Sequence, residues 1–275
     1  MGHSNSTLHT YQLSTGGIEK EIPSVIRVSN EPGWIRYFRF RRLRLFLLGP
    51  YSEYMYALDF VKGLSGDILL HSGPSVDSPI LAASSRQSTG YDDYLIRLPS
   101  LSGNAPQQEI LHRPEGLIKG HFWFTIQVGQ QLELFEWRRS RGAEVKSVGL
   151  SRRGYKLVRF GSTKPEDKYS SGEQDLHHGS SKVEGYASDG KEVVAVWANT
   201  GFLDSLSDAG EFQFRGSGAT GELGQLWALM AIMSCMSIWQ KVRRDKARSH
   251  RRHGAAGSAA GSAASSAAGA VAGAC

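Results

Sequence analysis

The sequence predicts a mainly β protein whose sheet encloses a single apolar helix near the C-terminus. Three observations carry this expectation. The stretch Leu226 to Trp239 is apolar or small at all 14 positions, with neither Gly nor Pro inside it. A helix with no polar face is buried on every side, in a core or in lipid. A membrane span needs about 20 apolar residues, whereas a run of 10–14 marks a buried core helix. The chain before this stretch breaks into short strand-like runs separated by Gly, Pro and polar turns, at the spacing of a sandwich or a barrel. Finally, 275 residues with 40% apolar side chains suffice for one large β domain.

The elements follow in order. Residues 1–30 are polar and aperiodic and read as a flexible arm, with one short strand near Val25 to Val28. The opening Met-Gly-His-Ser-Asn-Ser fits the N-myristoylation pattern, with Gly2 as acceptor and Ser6 in the required place. No apolar h-region precedes the chain's first strand, so a secreted protein is not expected and the sequon at Asn5 is expected to stay unmodified. Residues 34–48, WIRYFRFRRLRLFLL, carry Arg36, Arg39, Arg41, Arg42 and Arg44 and no acid. Charge and bulk alternate there as in a strand with one wet face. Gly49-Pro50 turns the chain and Tyr54 to Val61 returns it.

Short runs then follow at Asp67–His71, Pro79–Ala83, Tyr94–Leu98 and Glu109–His112. His121–Val128 and Leu132–Trp137, joined by Gly129-Gln130-Gln131, form the clearest hairpin. In its second strand Leu132 and Leu134 mark an inner face, and the acids Glu133 and Glu136 an outer one. Tyr155–Phe160 comes next, then a polar loop over Lys164–Ser181 that contains His177-His178. Val193–Ala198 and Glu211–Arg215 bring the total to about twelve strands.

The balance of charge is basic, with a formal net charge of +6 and a pI near 9.3. It speaks for anionic partners and says nothing about fold. Beyond the apolar helix, Lys241–Arg252 holds seven Lys or Arg and one Asp. The last 22 residues, from Gly254, are almost all Gly, Ala and Ser and read as a disordered tail. Two cysteines, Cys235 in the helix and Cys275 at the end, leave no disulfide framework and no cysteine zinc site.

One motif competes for a chemical reading. Gly216-Ser217-Gly218-Ala219-Thr220-Gly221 spells the G-x-G-x-x-G of a dinucleotide loop, after a strand and before a helix. No acid follows about 20 residues on, and a helix apolar all round cannot lie on one face of a sheet. The glycines read instead as a sharp thread from the last strand into the helix. No metal-ligand spacing, nucleophile elbow or acid pair is visible, so neither cofactor nor metal is expected and an enzyme is not the favoured class.

Many short strands followed by one all-apolar helix resemble the tubby C-terminal-like superfamily, which includes tubby proteins, phospholipid scramblases and LURP-one-related proteins. The resemblance covers roughly residues 31–243. LRLFLLGPYSEYMYALDF, EVVAVWANTG and FRGSGATGELGQLWALMAIMSCMSIWQKVRR are similar to a set of filamentous-fungal proteins of this architecture. The resemblance implies a closed antiparallel β-barrel of about twelve strands around a buried apolar C-terminal helix, at about residues 222–243. Residues 1–30 would then be an arm and 244–275 a basic, then Gly/Ala/Ser-rich, tail. Elementary packing agrees, since closing a sheet removes its edges. A barrel that wide is not filled by side chains alone, while a helix of 14 residues adds a rod of about 21 Å.

Tubby proteins bind phosphoinositides, and the expected function follows that lead from charge. It is a non-enzymatic, cytoplasmic, peripheral membrane or signalling protein without a transmembrane span. Arg36, Arg39, Arg41, Arg42 and Arg44 would bind anionic lipid, helped by Lys241, Arg243, Arg244 and an acylated Gly2. The alternative is a protein- or nucleic-acid-interaction module with no membrane role, whose binding to nucleic acid would fall steeply with salt.

Overall fold

The computed structural model describes residues 11–14, 21–30, 43–87, 93–100, 105–113, 120–148, 153–161, 185–199 and 208–268, and helix side chains as far as Ser249. The strands are β1 (Val25–Asn30), β2 (Leu43–Leu48), β3 (Tyr54–Phe60), β4 (Ile68–His71), β5 (Ile80–Arg86), β6 (Tyr94–Leu98), β7 (Gln107–Leu111), β8 (Phe122–Val128), β9 (Gln131–Ser140), β10 (Gly154–Gly161), β11 (Val193–Asn199) and β12 (Asp208–Phe214). They form one antiparallel sheet in the order β7-β6-β5-β4-β3-β2-β1-β12-β11-β10-β9-β8. Every ladder but one joins strands consecutive in sequence, and the exception joins β1 to β12. The two end strands meet at a single β-bridge between His112 and Trp123, with N–H···O distances of 2.8 and 3.0 Å. The sheet is thus nearly closed into a barrel, with β7 and β8 forming its seam.

Alternation along the strands sets the two faces. In β8 the buried Phe122, Phe124 and Ile126 alternate with the partly exposed Trp123 and Thr125 and the exposed Gln127. The helix α2 (Gly224–Ala268) supplies the rest of the core. From Trp227 to Ser237 every helix residue except Ala228 is buried. Trp227 packs against Phe135 and Phe214, each with ring centroids 5.6 Å away. Two helix hydroxyls reach the sheet: Trp137 Nε1 donates to Ser234 Oγ at 2.8 Å, and Ser237 Oγ lies 2.7 Å from Ser84 Oγ of β5. Cys235 is fully buried, and burial pushes its thiol well above the ordinary range.

Two apolar clusters cover parts of the outer face. The short helix α1 (Ala143–Lys146) sets Val145, with Val148 just beyond it, on Val158, Val193, Val196 and Ala198. Leu13, bridged to Ile80, packs with Leu69 and Ala83.

Three features differ from the sequence reading. Residues Val25–Asn30, placed in the arm, form a barrel strand paired with both β2 and β12. In β9 Glu133 lies on the inner face and Leu132 and Leu134 on the outer one, where Glu136 stays as expected. Phe135 and Trp137 touch the helix, so Glu133 shares the inner face by alternation, while Leu132 is 55% exposed. Two aromatic rings outweigh the two leucines in choosing the face, and Glu133 finds an arginine there. The helix does not end at Arg243 but runs on to Ala268, through a segment rich in alanine, the strongest helix former.

The described chain divides into two compact units at Ser237/Ile238. In the second, the helix from Ile238 onward, Ile238, Trp239, Gln240, Lys241 and Arg244 are buried, and residues 245–249 are exposed. Among the described residues no helix is long and apolar enough to cross a membrane.

A helix segment enclosed on every side tolerates no charge at its centre, and Met233 is fully buried there. Met233→Lys is therefore expected to abolish cooperative folding, read as loss of the near-ultraviolet circular dichroism signal and of a thermal transition. Soluble Met233→Lys protein with a native-like melt would refute the enclosed helix.

Candidate functional site

The basic strip is described only at its end. Arg36, Arg39, Arg41 and Arg42, like Gly2, lie outside the described residues, as does the 164–181 loop. Arg44 stands in β2 directly opposite Asp59 of β3, on the face away from Leu45 and Leu58, both of which are fully buried. It therefore belongs to the outside of the barrel, beside an acid of opposite charge. The three helix cations differ from expectation. Lys241 is 7% exposed and its ammonium group pairs with Asp245 one turn on; Arg244 is 4% exposed. Neither is presented to solvent as a docking charge. Arg243 is half-buried, its guanidinium 5.3 Å from the Trp239 ring centre, and burial lowers its pKa. Among the described residues the exposed helix cations are instead Lys246 and Arg248, roughly two turns or more beyond the apolar run.

The end of the barrel where the helix begins carries an ion cluster that sequence spacing did not reveal. Arg159 of β10 makes a paired contact with Glu133, Nε to Oε2 at 2.7 Å and Nη2 to Oε1 at 2.8 Å. Its Nη1 reaches Glu222 at 2.9 Å, and Glu192 stands 3.8 Å away. Its hydrogen bonds to the Glu133 carboxylate, the largest influence, hold the guanidinium firmly charged. Glu192 in turn accepts from Ser217 N at 2.7 Å and Ser217 Oγ at 2.9 Å.

This last pair decides the glycine motif. Gly216–Gly218 forms a 3-10 turn whose Ser217 N–H, the donor a phosphate would seek, already holds the Glu192 carboxylate. At Gly218 an added Cβ would meet the Val194 carbonyl oxygen at 2.3 Å and the Trp227 ring at 2.7 Å. The glycine serves close packing at the start of the helix, and a nucleotide phosphate would have to displace a carboxylate.

A second polar network crosses the outer face at the seam. His112 stacks on Trp123, with ring centroids 4.0 Å apart and planes 22° apart. Its Nδ1 lies 3.3 Å from Asp93 Oδ2, while Asp93 Oδ1 accepts from Arg113 N at 2.8 Å. Two residues before Trp123, His121 Nδ1 lies 2.8 Å from Glu136 Oε1. Glu136 is 3% exposed and also accepts from Arg138 Nε at 2.9 Å; Arg138 Nη2 bonds Asp189 at 2.8 Å. Burial alone would raise the Asp189 pKa, but the Arg138 guanidinium and the Lys191 backbone N–H outweigh it, so the carboxyl sits below its ordinary value. Arg138 and Lys191 both lie over the Phe160 ring, at 5.2 and 5.5 Å. Single histidines and acids scattered over four strands give no sequence signal, because only the register of β8 and β9 assembles them.

Among the described residues no group of three or more His, Cys, Asp and Glu side chains is placed to hold a metal ion. Compared with protein-family models, curated proteins and solved structures, the chain matches none.

Two outcomes follow. Arg159→Gln leaves the buried Glu133 carboxylate without its cation and should cost about 3–5 kcal/mol in denaturant unfolding. Asp189→Asn should cost about 2 kcal/mol at pH 7. Because the folded-state pKa of Asp189 is depressed, its contribution is present above the ordinary value of 3.8 and lost as pH falls through the lower, folded value. The gap between variant and parent should accordingly shrink in urea melts taken below that pH.

Proposed function

We propose that the chain is a non-enzymatic barrel protein that docks on anionic, phosphoinositide-like membrane surfaces, as a peripheral membrane or signalling adaptor. The supporting observation is that the barrel axis is taken by the helix segment Trp227–Ser237. A ligand therefore meets the outside of the barrel or its ends. On the outside, Arg44 continues the run Arg36–Arg42 into β2 on the outer face. The resemblance to tubby-like barrels points the same way. Each Lys or Arg close to an anionic surface contributes about 1 kcal/mol, so the five arginines would hold the protein at such a membrane without insertion. Lys246 and Arg248 take the supporting place first given to Lys241 and Arg244. An acyl chain on Gly2 would be marginal alone and effective together with the strip.

Co-sedimentation with vesicles tests this reading. Unacylated full-length protein should pellet with phosphoinositide-containing vesicles at low salt and stay in solution with neutral ones. Changing Arg36, Arg39, Arg41, Arg42 and Arg44 together to Gln should reduce pelleting at least tenfold. Failure to pellet with acidic vesicles at any salt would overturn the membrane reading and leave a protein or nucleic-acid partner.

A further inference from the structure

We propose that His112 and His121 form a two-imidazole site for a divalent transition metal of the zinc class, set across the seam where the barrel closes. The register brings them together. His112 pairs with Trp123, and His121 lies two residues before Trp123, so the two stand diagonally across β7 and β8 on the outer face. Diagonal cross-strand neighbours are about 7–8 Å apart, within reach of long side chains. Both imidazoles are partly exposed, with side-chain exposures of 33% and 30%.

The carboxylates set their orientation. Each Nδ1 is taken, His112 by Asp93 just before β6 and His121 by Glu136 in β9. These two acids flank the seam from opposite sides. With each Nδ1 held by an acid, Nε2 is the ring nitrogen that each histidine can offer to a metal. Among the described residues no hydrogen bond occupies either Nε2. An imidazole that donates Nδ1–H to a carboxylate and presents the Nε2 lone pair is the usual form of a metal-binding histidine, its tautomer and ring plane fixed by the second partner. Here the partners are themselves held, Asp93 by Arg113 N and Glu136 by Arg138. Stacking on Trp123 fixes the plane of His112 as well.

Imidazole nitrogen suits zinc, copper and nickel, and not magnesium or calcium. The chain supplies two ligands, and water or a partner's side chain completes a tetrahedral set. The place gives the metal a consequence, because it would join the two end strands where a single β-bridge now does. An ion that binds the closed barrel alone stabilises it by mass action.

The probe is zinc(II) added to the metal-stripped full chain, followed by calorimetry and by thermal melting. The expected result is one binding event and a zinc-dependent rise in Tm, both lost in His112→Gln/His121→Gln, with every other histidine retained. Asp93→Asn should weaken binding about tenfold. A folded double variant that binds zinc with unchanged affinity and stoichiometry overturns the proposal. If the double variant does not fold, imidazole nitrogen NMR of the parent protein decides. Zinc should shift the Nε2 resonances of two histidines together, identified by their loss in single variants, whereas no shift, or shifts only at other histidines, overturns the site.

Discussion

A helix without a polar face demands an apolar surrounding in every direction, and this demand organises the whole molecule. A flat sheet covers one side of such a helix, and a sandwich covers two. Only a sheet curled on itself surrounds it. The converse also holds, since a ring of twelve strands is too wide for its own side chains to fill. Filling the barrel and burying the helix are therefore one problem with one solution. The two serines on the axis are satisfied where they stand. Ser234 and Ser237 each donate to a carbonyl of their own helix, Ala231 at 3.0 Å and Met233 at 2.8 Å, and each also meets a side chain of the sheet. Because those sheet partners lie on β9 and β5, the helix has little freedom to rotate or slide without breaking a buried hydrogen bond.

Charge is arranged by a different logic. The chain carries an excess of six cations, yet the described arginines inside the sheet are mostly committed. Arg159 answers Glu133 and Glu222, and Arg138 answers Glu136 and Asp189. These contacts tie β9 to β10, to the turn before β11 and to the approach to the helix. They hold the ends and outer face of the barrel in register, where apolar packing is thinner.

Much of this was legible in the sequence. All twelve strands and the apolar run announce themselves through alternation, turn residues and the absence of Gly and Pro. What was hidden depends on register. Glu133 reads as a wet-face acid because Leu132 and Leu134 flank it; its inner position follows from Phe135 and Trp137 facing the helix and from an arginine on the next strand. Lys241 and Arg244 read as surface charges because burial of a cation has no mark in local composition. The Glu192 carboxylate in the glycine turn lies 25 residues from Ser217, and the pairing of His112 with Trp123 that sets the two seam histidines side by side is a matter of register. No window along the chain would have joined them.

The order of the chain has a further consequence for how the protein is made. Ten ladders link neighbours in sequence, so hairpins can form as each strand leaves the ribosome. The segment that fills the axis, Trp227–Ser237, is synthesised after all twelve strands. Until it arrives, the inward rings of Phe124, Phe135, Trp137 and Phe212 have only one another and the sheet to pack on, and β1 lacks its second neighbour until β12 is made. The nascent chain is therefore a half-built sheet with an open apolar concavity for most of its synthesis. The burial of that concavity thus depends on the last structured segment to be made.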